Sequence, residues 1–414
     1  MSTGHLLVVG AGQAGVQLAG SARELGWIGP ITLIGQEPHP PYARPPLSKT
    51  YLRGETDLSA LALRSEDFFR EQEIELVAGE RIDQLSLTAT GGTAQATSGR
   101  HWSFDRLALA TGAEPRRLPI AGSDLDGVLV LRDVGDADAL GHHMRSVTNL
   151  VVIGGGFIGL EVAATAAATG VTVAVVEAAP ALLTRVVSGH TAAAVQAAHD
   201  AAGIRFHTGV RPVRLHGHAG AVTAVELADG TMLPAGLVLV GIGARPRDDL
   251  ARAAGLLCDG GVVVDAYSLA SDGRTVAIGD CANLPDPTSD PPVTRLRLES
   301  VDNAVEQARA AATTLVGDQR RYRGVPWFWS HQGDLKLQIA GLAKPEDEAV
   351  VRLGKKAGQQ TVLRYRGNRL VAAECINAPG DFVAVRKALA WGRTTAQANA
   401  RDGALPLKAL LLGN

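Results

Sequence analysis

The chain has 414 residues, 46 % of them hydrophobic, with a formal net charge of −2. That length exceeds one simple core and points to two or three domains, and nothing in the near-neutral balance implies nucleic acid or a polybasic membrane contact. No apolar run approaches the ~18 residues that a membrane span needs. A strand begins at Leu6, which leaves no room for a leader, so a cytoplasmic protein is expected.

Leu6 to Val9 read as a short buried strand running into Gly10-Ala11-Gly12-Gln13-Ala14-Gly15. A helix to about Leu25 and a strand over Ile31–Ile34 follow, then Gln36 and Glu37. In this context the first glycine (Gly10) permits a tight turn, the second (Gly12) lets backbone approach a pyrophosphate, and the third (Gly15) lets helix lie close on strand. Glu37 stands roughly where an acid accepts hydrogen bonds from a ribose. The proline-rich stretch 38–49 is a stiff, non-helical loop carrying Arg44 and Lys49. A strand over Ile74–Val77, antiparallel strands over 81–104, and a buried strand from Phe104 to Ala110 lead to Thr111-Gly112.

Leu150 to Ile153 open a second copy of the device: Gly154-Gly155-Gly156-Phe157-Ile158-Gly159, an alanine-rich helix to Thr169, a stop at Gly170 and a strand closed by Glu177. The helix start offers unpaired N–H groups and a positive dipole end to phosphates. Glu161 is expected in the first helical turn, where an acid ordinarily serves the dipole. Leu237–Val240 and Gly241-Ile242-Gly243 end this segment, Thr275–Ile278 lead to Gly279-Asp280, and a helix is expected from about Glu299 to Leu315. Residues 285–292 read as an exposed, turn-rich loop. From Gly324 the pattern changes to short strands (Leu335–Ala340, Ala349–Leu353, Thr361–Tyr365, Leu370–Ile376) and a helix after Gly380, opened by Trp327-Phe328-Trp329. Two fingerprints imply two bound dinucleotides, most economically one flavin and one nicotinamide.

The two fingerprints, Arg44-Pro-Pro-Leu-Ser-Lys49, Ala110-Thr111-Gly112 and Ala277-Ile278-Gly279-Asp280 together resemble the oxygenase-coupled ferredoxin reductases over essentially the whole chain. The resemblance implies an α/β fold: two Rossmann-like dinucleotide-binding domains, for FAD and NADH, plus a C-terminal α+β domain. Its boundaries are 1–114 and 243–323 for FAD, 115–242 for NADH and 324–414 for the last domain. It implies an FAD site of Gly10, Gly12, Gly15, Glu37, Arg44, Lys49, Thr111, Gly112, Gly279, Asp280 and Trp329. Its implied NADH site is Gly154, Gly156, Phe157, Ile158, Gly159, Glu177, Arg185 and Gly243. For catalysis it implies an ion pair between Lys49 and Glu161 beside the flavin N5. Without it, Arg185 reads as a solvated side chain and the tryptophans as core. His331 stands where related sequences tend to carry an acid.

Residues 38–53 contain no cysteine, and Cys258, Cys281 and Cys375 are too dispersed for a C-x-x-C pair. A disulfide relay, a metal site and a built-in cluster are therefore not expected, and electrons reaching a flavin must leave the chain. NADH delivers two electrons at once, and flavin releases them singly. The expected acceptor is a [2Fe–2S] ferredoxin, Rieske-type or cysteine-ligated, feeding an oxygenase. Arg309, then Arg295 and Arg297, are the expected docking cations. Two alternatives share the architecture: an NADH oxidase or other two-electron flavoreductase, and a redox-dependent interaction protein of the apoptosis-inducing-factor kind. Neither nucleic acid nor membrane is an expected partner.

Overall fold

A computed structural model describes residues 3–288, 294–403 and 405–413. The loop expected over 285–292 is described as far as Thr288, and the rest lies outside the described residues. The chain divides into two compact units. The first comprises Met1–Ala43, Leu58–Glu114 and Arg245–Gly324, and the second Arg44–Asp57, Pro115–Ala244 and Val325–Asn414.

The first unit is built on a five-stranded parallel sheet in the spatial order Val276–Ala277, Arg106–Leu109, Leu6–Val9, Ile31–Ile34, Ile74–Val77. Successive side chains of a strand point to opposite faces, and both faces are covered here. Leu6, Val8, Ile31 and Leu33 join one core, with Leu315 and the alanines of helices Gln13–Glu24 and Val301–Leu315. Leu7, Val9, Ile34 and Leu107 join another, against Trp102, Phe104 and Leu256. That is why the strands read as unbroken apolar runs. An antiparallel trio, Ile82–Leu87, Gly92–Ala96 and His101–Phe104, follows the pattern read from the sequence. The strand expected over 104–110 is interrupted at Asp105. Its carboxylate accepts from the His5 N–H at 2.7 Å while its own N–H donates to the His5 carbonyl, so the chain turns there from one sheet to the other.

The second unit repeats the plan, with Arg205–Thr208, Thr172–Glu177, Asn149–Ile153, Leu237–Val240 and Val128–Leu129 in spatial order, all parallel. The same unit contains a five-stranded antiparallel sheet ordered Trp327–Gln332, Leu335–Gly341, Arg369–Ile376, Gln360–Arg366, Glu348–Leu353. Leu160, Leu182, Val187 and Val195 of the Rossmann part share a core with Leu335, Leu337 and Ile376 of that sheet. Among the described residues no helix is long and apolar enough to cross a membrane.

Candidate functional site

Each fingerprint turn starts with a glycine at positive φ, +114° at Gly10 and +111° at Gly154. A Cβ there would overlap the carbonyl of Ala110 or of Gly241, and at Gly15 or Gly159 the carbonyl of the turn's own first glycine. These four are glycine because the protein packs against itself. The middle glycines differ. A Cβ at Gly12 would meet nothing within 4 Å, and at Gly156 its nearest neighbour is the Gly241 carbonyl oxygen at 3.9 Å. Backbone is left bare there, as an approaching pyrophosphate requires.

Capping agrees with this. Asp133, Ser188 and Ser300 accept from the first-turn amides of their helices, and Pro379–Ala390 starts on a proline. Helices Gln13–Glu24 and Phe157–Ala168 have glycine N-caps, no side-chain cap and no acid in the first turn. Their amides are free for an anion. The residues present therefore fit two dinucleotides.

In the first unit, Tyr42 donates its hydroxyl to Glu37. Thr111 Oγ1 donates to the Arg247 carbonyl at 2.6 Å, and Gly112 has φ +71°. The Gly279 N–H donates to Gln307 Oε1 at 2.8 Å, which fixes the turn presenting Asp280. In the second unit, the Gly155 and Ala179 amides each donate to a Glu177 oxygen at 2.7 Å. The Arg185 guanidinium comes within 3.8 Å of where a Gly243 Cβ would lie, so these two residues, far apart in sequence, face one place. Phe157 packs on Phe328, ring centroids 4.4 Å apart, and Ile158 is 45 % exposed. The implied FAD residues Arg44, Lys49 and Trp329 belong to this unit too. Arg44 donates to the Arg132 carbonyl at 2.7 Å, and Trp329 stacks on Trp327 at 5.1 Å.

Lys49 and Glu161 meet. Lys49 Nζ lies 2.5 Å from Glu161 Oε2 and also donates to the Pro45 carbonyl at 2.9 Å. Glu161 is not in the first turn, as the sequence reading placed it. The helix starts at Phe157, which puts Glu161 in the second turn, only 5 % exposed, where its partners are side chains rather than the helix end. Ser48 Oγ donates to its Oε2 at 2.6 Å and Ser330 Oγ to its Oε1 at 2.7 Å. Sequence reasoning missed both serines. Their one signal is adjacency, each next to a residue already singled out, Lys49 and Trp329. His331 next door has its pKa lowered, first by burial of the ring and then by the cations Lys49 and Lys336.

The three docking arginines differ. Arg309 is 57 % exposed and pairs with surface Glu306 at 2.6 Å. Arg295 is turned onto the Val264 and Asn283 carbonyls, and Arg297 onto the Asp280 carbonyl and Glu299. Among the described residues no cluster of His, Cys, Asp and Glu could hold a metal ion.

Two family models match the chain: pyridine nucleotide-disulphide oxidoreductase over residues 4–308 and reductase C-terminal over 327–411. Rhodocoxin reductase of Rhodococcus erythropolis is 42 % identical over 405 residues, covering 97 % of this chain and 93 % of that protein. Among solved structures, the ferredoxin reductase for the CYP199A2 system of Rhodopseudomonas palustris is similar with a TM-score of 0.94 at 41 % identity, covering 98 % and 99 % of the two chains. The reductase in the covalent putidaredoxin reductase–putidaredoxin complex gives 0.94 at 35 %, covering 99 % and 98 %. With two such cradles and this C-terminal sheet, the chain belongs to the pyridine nucleotide-disulphide oxidoreductases, as one of the ferredoxin reductases built on FAD and a nicotinamide dinucleotide.

Proposed function

We propose that this chain takes electrons from NADH and passes them singly to a [2Fe–2S] ferredoxin that feeds an oxygenase. The observation that carries this reading is the pair of glycine turns, each with a middle glycine that would accept a Cβ without a clash, in a chain without a cysteine in residues 38–53. A bound flavin supplies the conversion from a two-electron donor to a one-electron acceptor. The first unit's Gly12 turn, Glu37, Thr111, Gly112 and Asp280 hold the FAD nucleotide, and the Gly156 turn, Glu177, Arg185 and Gly243 hold NADH. The Lys49–Glu161 pair, with its carboxylate buried, acts as the electrostatic element at the flavin, with Arg44 and Trp329 beside it. The domain boundaries implied by the resemblance, 1–114, 115–242, 243–323 and 324–414, belong to the same reading.

Arg309 is the docking cation, because it is exposed and pairs with a surface carboxylate, Glu306, that an acidic ferredoxin can displace. Arg295 supports the local backbone instead, and Arg297 divides between the Asp280 carbonyl and the Glu299 carboxylate. The test mixes purified protein, NADH and a [2Fe–2S] ferredoxin, and follows ferredoxin reduction and peroxide together. Rapid reduction with little peroxide is expected, first with a cysteine-ligated and then with a Rieske-type ferredoxin. Peroxide in step with NADH consumption, and no reduction of either protein, would make the chain an oxidase.

A further inference from the structure

Glu161 anchors a longer chain of hydrogen bonds whose direction is set by chemistry. Ser330 Oγ lies 2.7 Å from Glu161 Oε1, Gln332 Nε2 lies 3.0 Å from Ser330 Oγ, and His199 Nε2 lies 2.7 Å from Gln332 Oε1. All are buried: Ser330 0 %, Gln332 3 % and His199 3 % exposed. A carboxylate paired with a lysine accepts only, so Ser330 must donate to it. The serine oxygen is then the acceptor for the Gln332 amide N–H, which turns Oε1 toward His199. An amide oxygen cannot donate, so His199 carries its proton on Nε2.

We propose that Ser330, Gln332 and His199 are positioning residues for the Lys49–Glu161 pair, a one-way donor chain that holds the Glu161 carboxylate and offsets its charge. This rests on the reading that the pair acts on the flavin. The chain does not conduct protons, because a primary amide in its middle cannot accept and release one under these conditions. Its work is electrostatic: each dipole is aligned by the next, and the last hydroxyl occupies the oxygen of Glu161 that Lys49 does not. Without that donor, more of the carboxylate's negative field reaches the flavin and makes its reduction less favourable.

The experiment measures the midpoint potential of the bound flavin in the holoprotein, with the melting temperature and FAD content of each variant. Ser330→Ala should shift the two-electron reduction equilibrium about tenfold toward oxidised flavin, roughly 30 mV, and lower kcat while leaving KM for NADH unchanged. Gln332→Glu should shift the potential in the same direction with little loss of volume, because a second carboxylate draws the serine hydroxyl away. Ser330→Thr, which keeps the hydroxyl, should restore the wild-type potential. Nitrogen NMR of the His199 ring should find the proton on Nε2. A proton on Nδ1 alone overturns the one-way chain. Glu161→Gln is the control and should raise the potential. If it does and the Ser330 and Gln332 variants change only melting temperature, the donor chain is structural and the proposal falls. If Glu161→Gln leaves the potential in place, the pair does not act on the flavin and both readings fall.

Discussion

Glu177 already uses one acceptor site on each oxygen, for the Gly155 and Ala179 amides. A carboxylate oxygen has a second lone pair, so ribose hydroxyls can still be accepted. A 2′-phosphate at the same place would face the carboxylate. Two unit charges at ~4 Å and an effective dielectric near 20 repel by ~4 kcal/mol. With solvent and the Arg185 cation that the same reading puts on the NADH site, roughly 1.5–3 kcal/mol remains, about ten- to a hundredfold in favour of NADH. Glu177→Gln should narrow that ratio of kcat/KM while keeping one oxygen for the loop amides. A wild-type value for NADPH equal to that for NADH would end the assignment. His199 gives a prediction of a different kind. Burial lowers its pKa in the folded protein, so the unfolded chain binds more protons from that depressed value up to ~6.5. Stability contributed here is complete above that window and falls as the pH drops through it, by up to about 1.4 kcal/mol per pH unit. Melting temperature between pH 7.5 and 5.5 should fall more steeply for wild type than for His199→Gln.

At the scale of elements, the two fingerprint turns separate glycines that the fold needs from those that a ligand needs. Gly12→Ala should fold with nearly wild-type stability, since its Cβ meets nothing and its φ is −85°. It should emerge with little FAD, because the methyl stands where the pyrophosphate comes. Gly156→Ala should keep FAD and raise KM for NADH at least tenfold. Gly10→Ala and Gly15→Ala should fail to fold, having nowhere to put a methyl. Soluble yield and flavin content per chain check all four. A second element-scale device is the pair Arg364–Glu374, at 2.8 Å with side chains 5 % and 1 % exposed. Glu374 also accepts from Ser188 N–H and Oγ–H, which ties the sheet strand Arg369–Ile376 to the cap of helix Gly189–Ala201. Removing one partner of such a pair leaves a buried charge alone, which costs about 3–5 kcal/mol. Glu374→Ala should lower the urea midpoint accordingly, and a loss under 1 kcal/mol would show that water reaches Arg364.

For the whole molecule the relevant quantity is the encounter with a partner. Complementary charge accelerates association more than it tightens the complex, and salt weakens it over a Debye length of ~8 Å. Arg309→Glu should slow ferredoxin reduction about tenfold at low ionic strength and much less at high, leaving ferricyanide reduction by NADH nearly intact. Glu306→Gln should act oppositely, by freeing Arg309 from its surface partner. Loss of ferricyanide reduction in step with ferredoxin reduction would locate the defect in the cofactor sites.

Both fingerprints were legible because their order is local: a strand, a glycine turn and a helix follow one another without a break, from Leu6 to Glu24 and from Asn149 to Ala168, although the carbonyls that exclude a side chain at Gly10 and Gly154 belong to the distant Ala110 and Gly241. Asp105 escaped notice, because its effect depends on His5, a hundred positions away. So did the environment of Glu161 beyond the expected Lys49, assembled from residues 48, 199, 330 and 332. Serines, a glutamine and a histidine on ordinary strands and helices carry no periodic signal, and only burial against a carboxylate gives their hydrogen bonds a direction. The fate of the arginines was equally illegible, since a cation is available to a partner only if no carbonyl of its own chain has claimed it. Sequence by itself determined the two dinucleotide devices, whose strand, glycine turn and helix are consecutive in the chain. Tertiary structure decided which polar groups meet in the dry interior, where a hydrogen bond has to be satisfied by whatever the fold brings near.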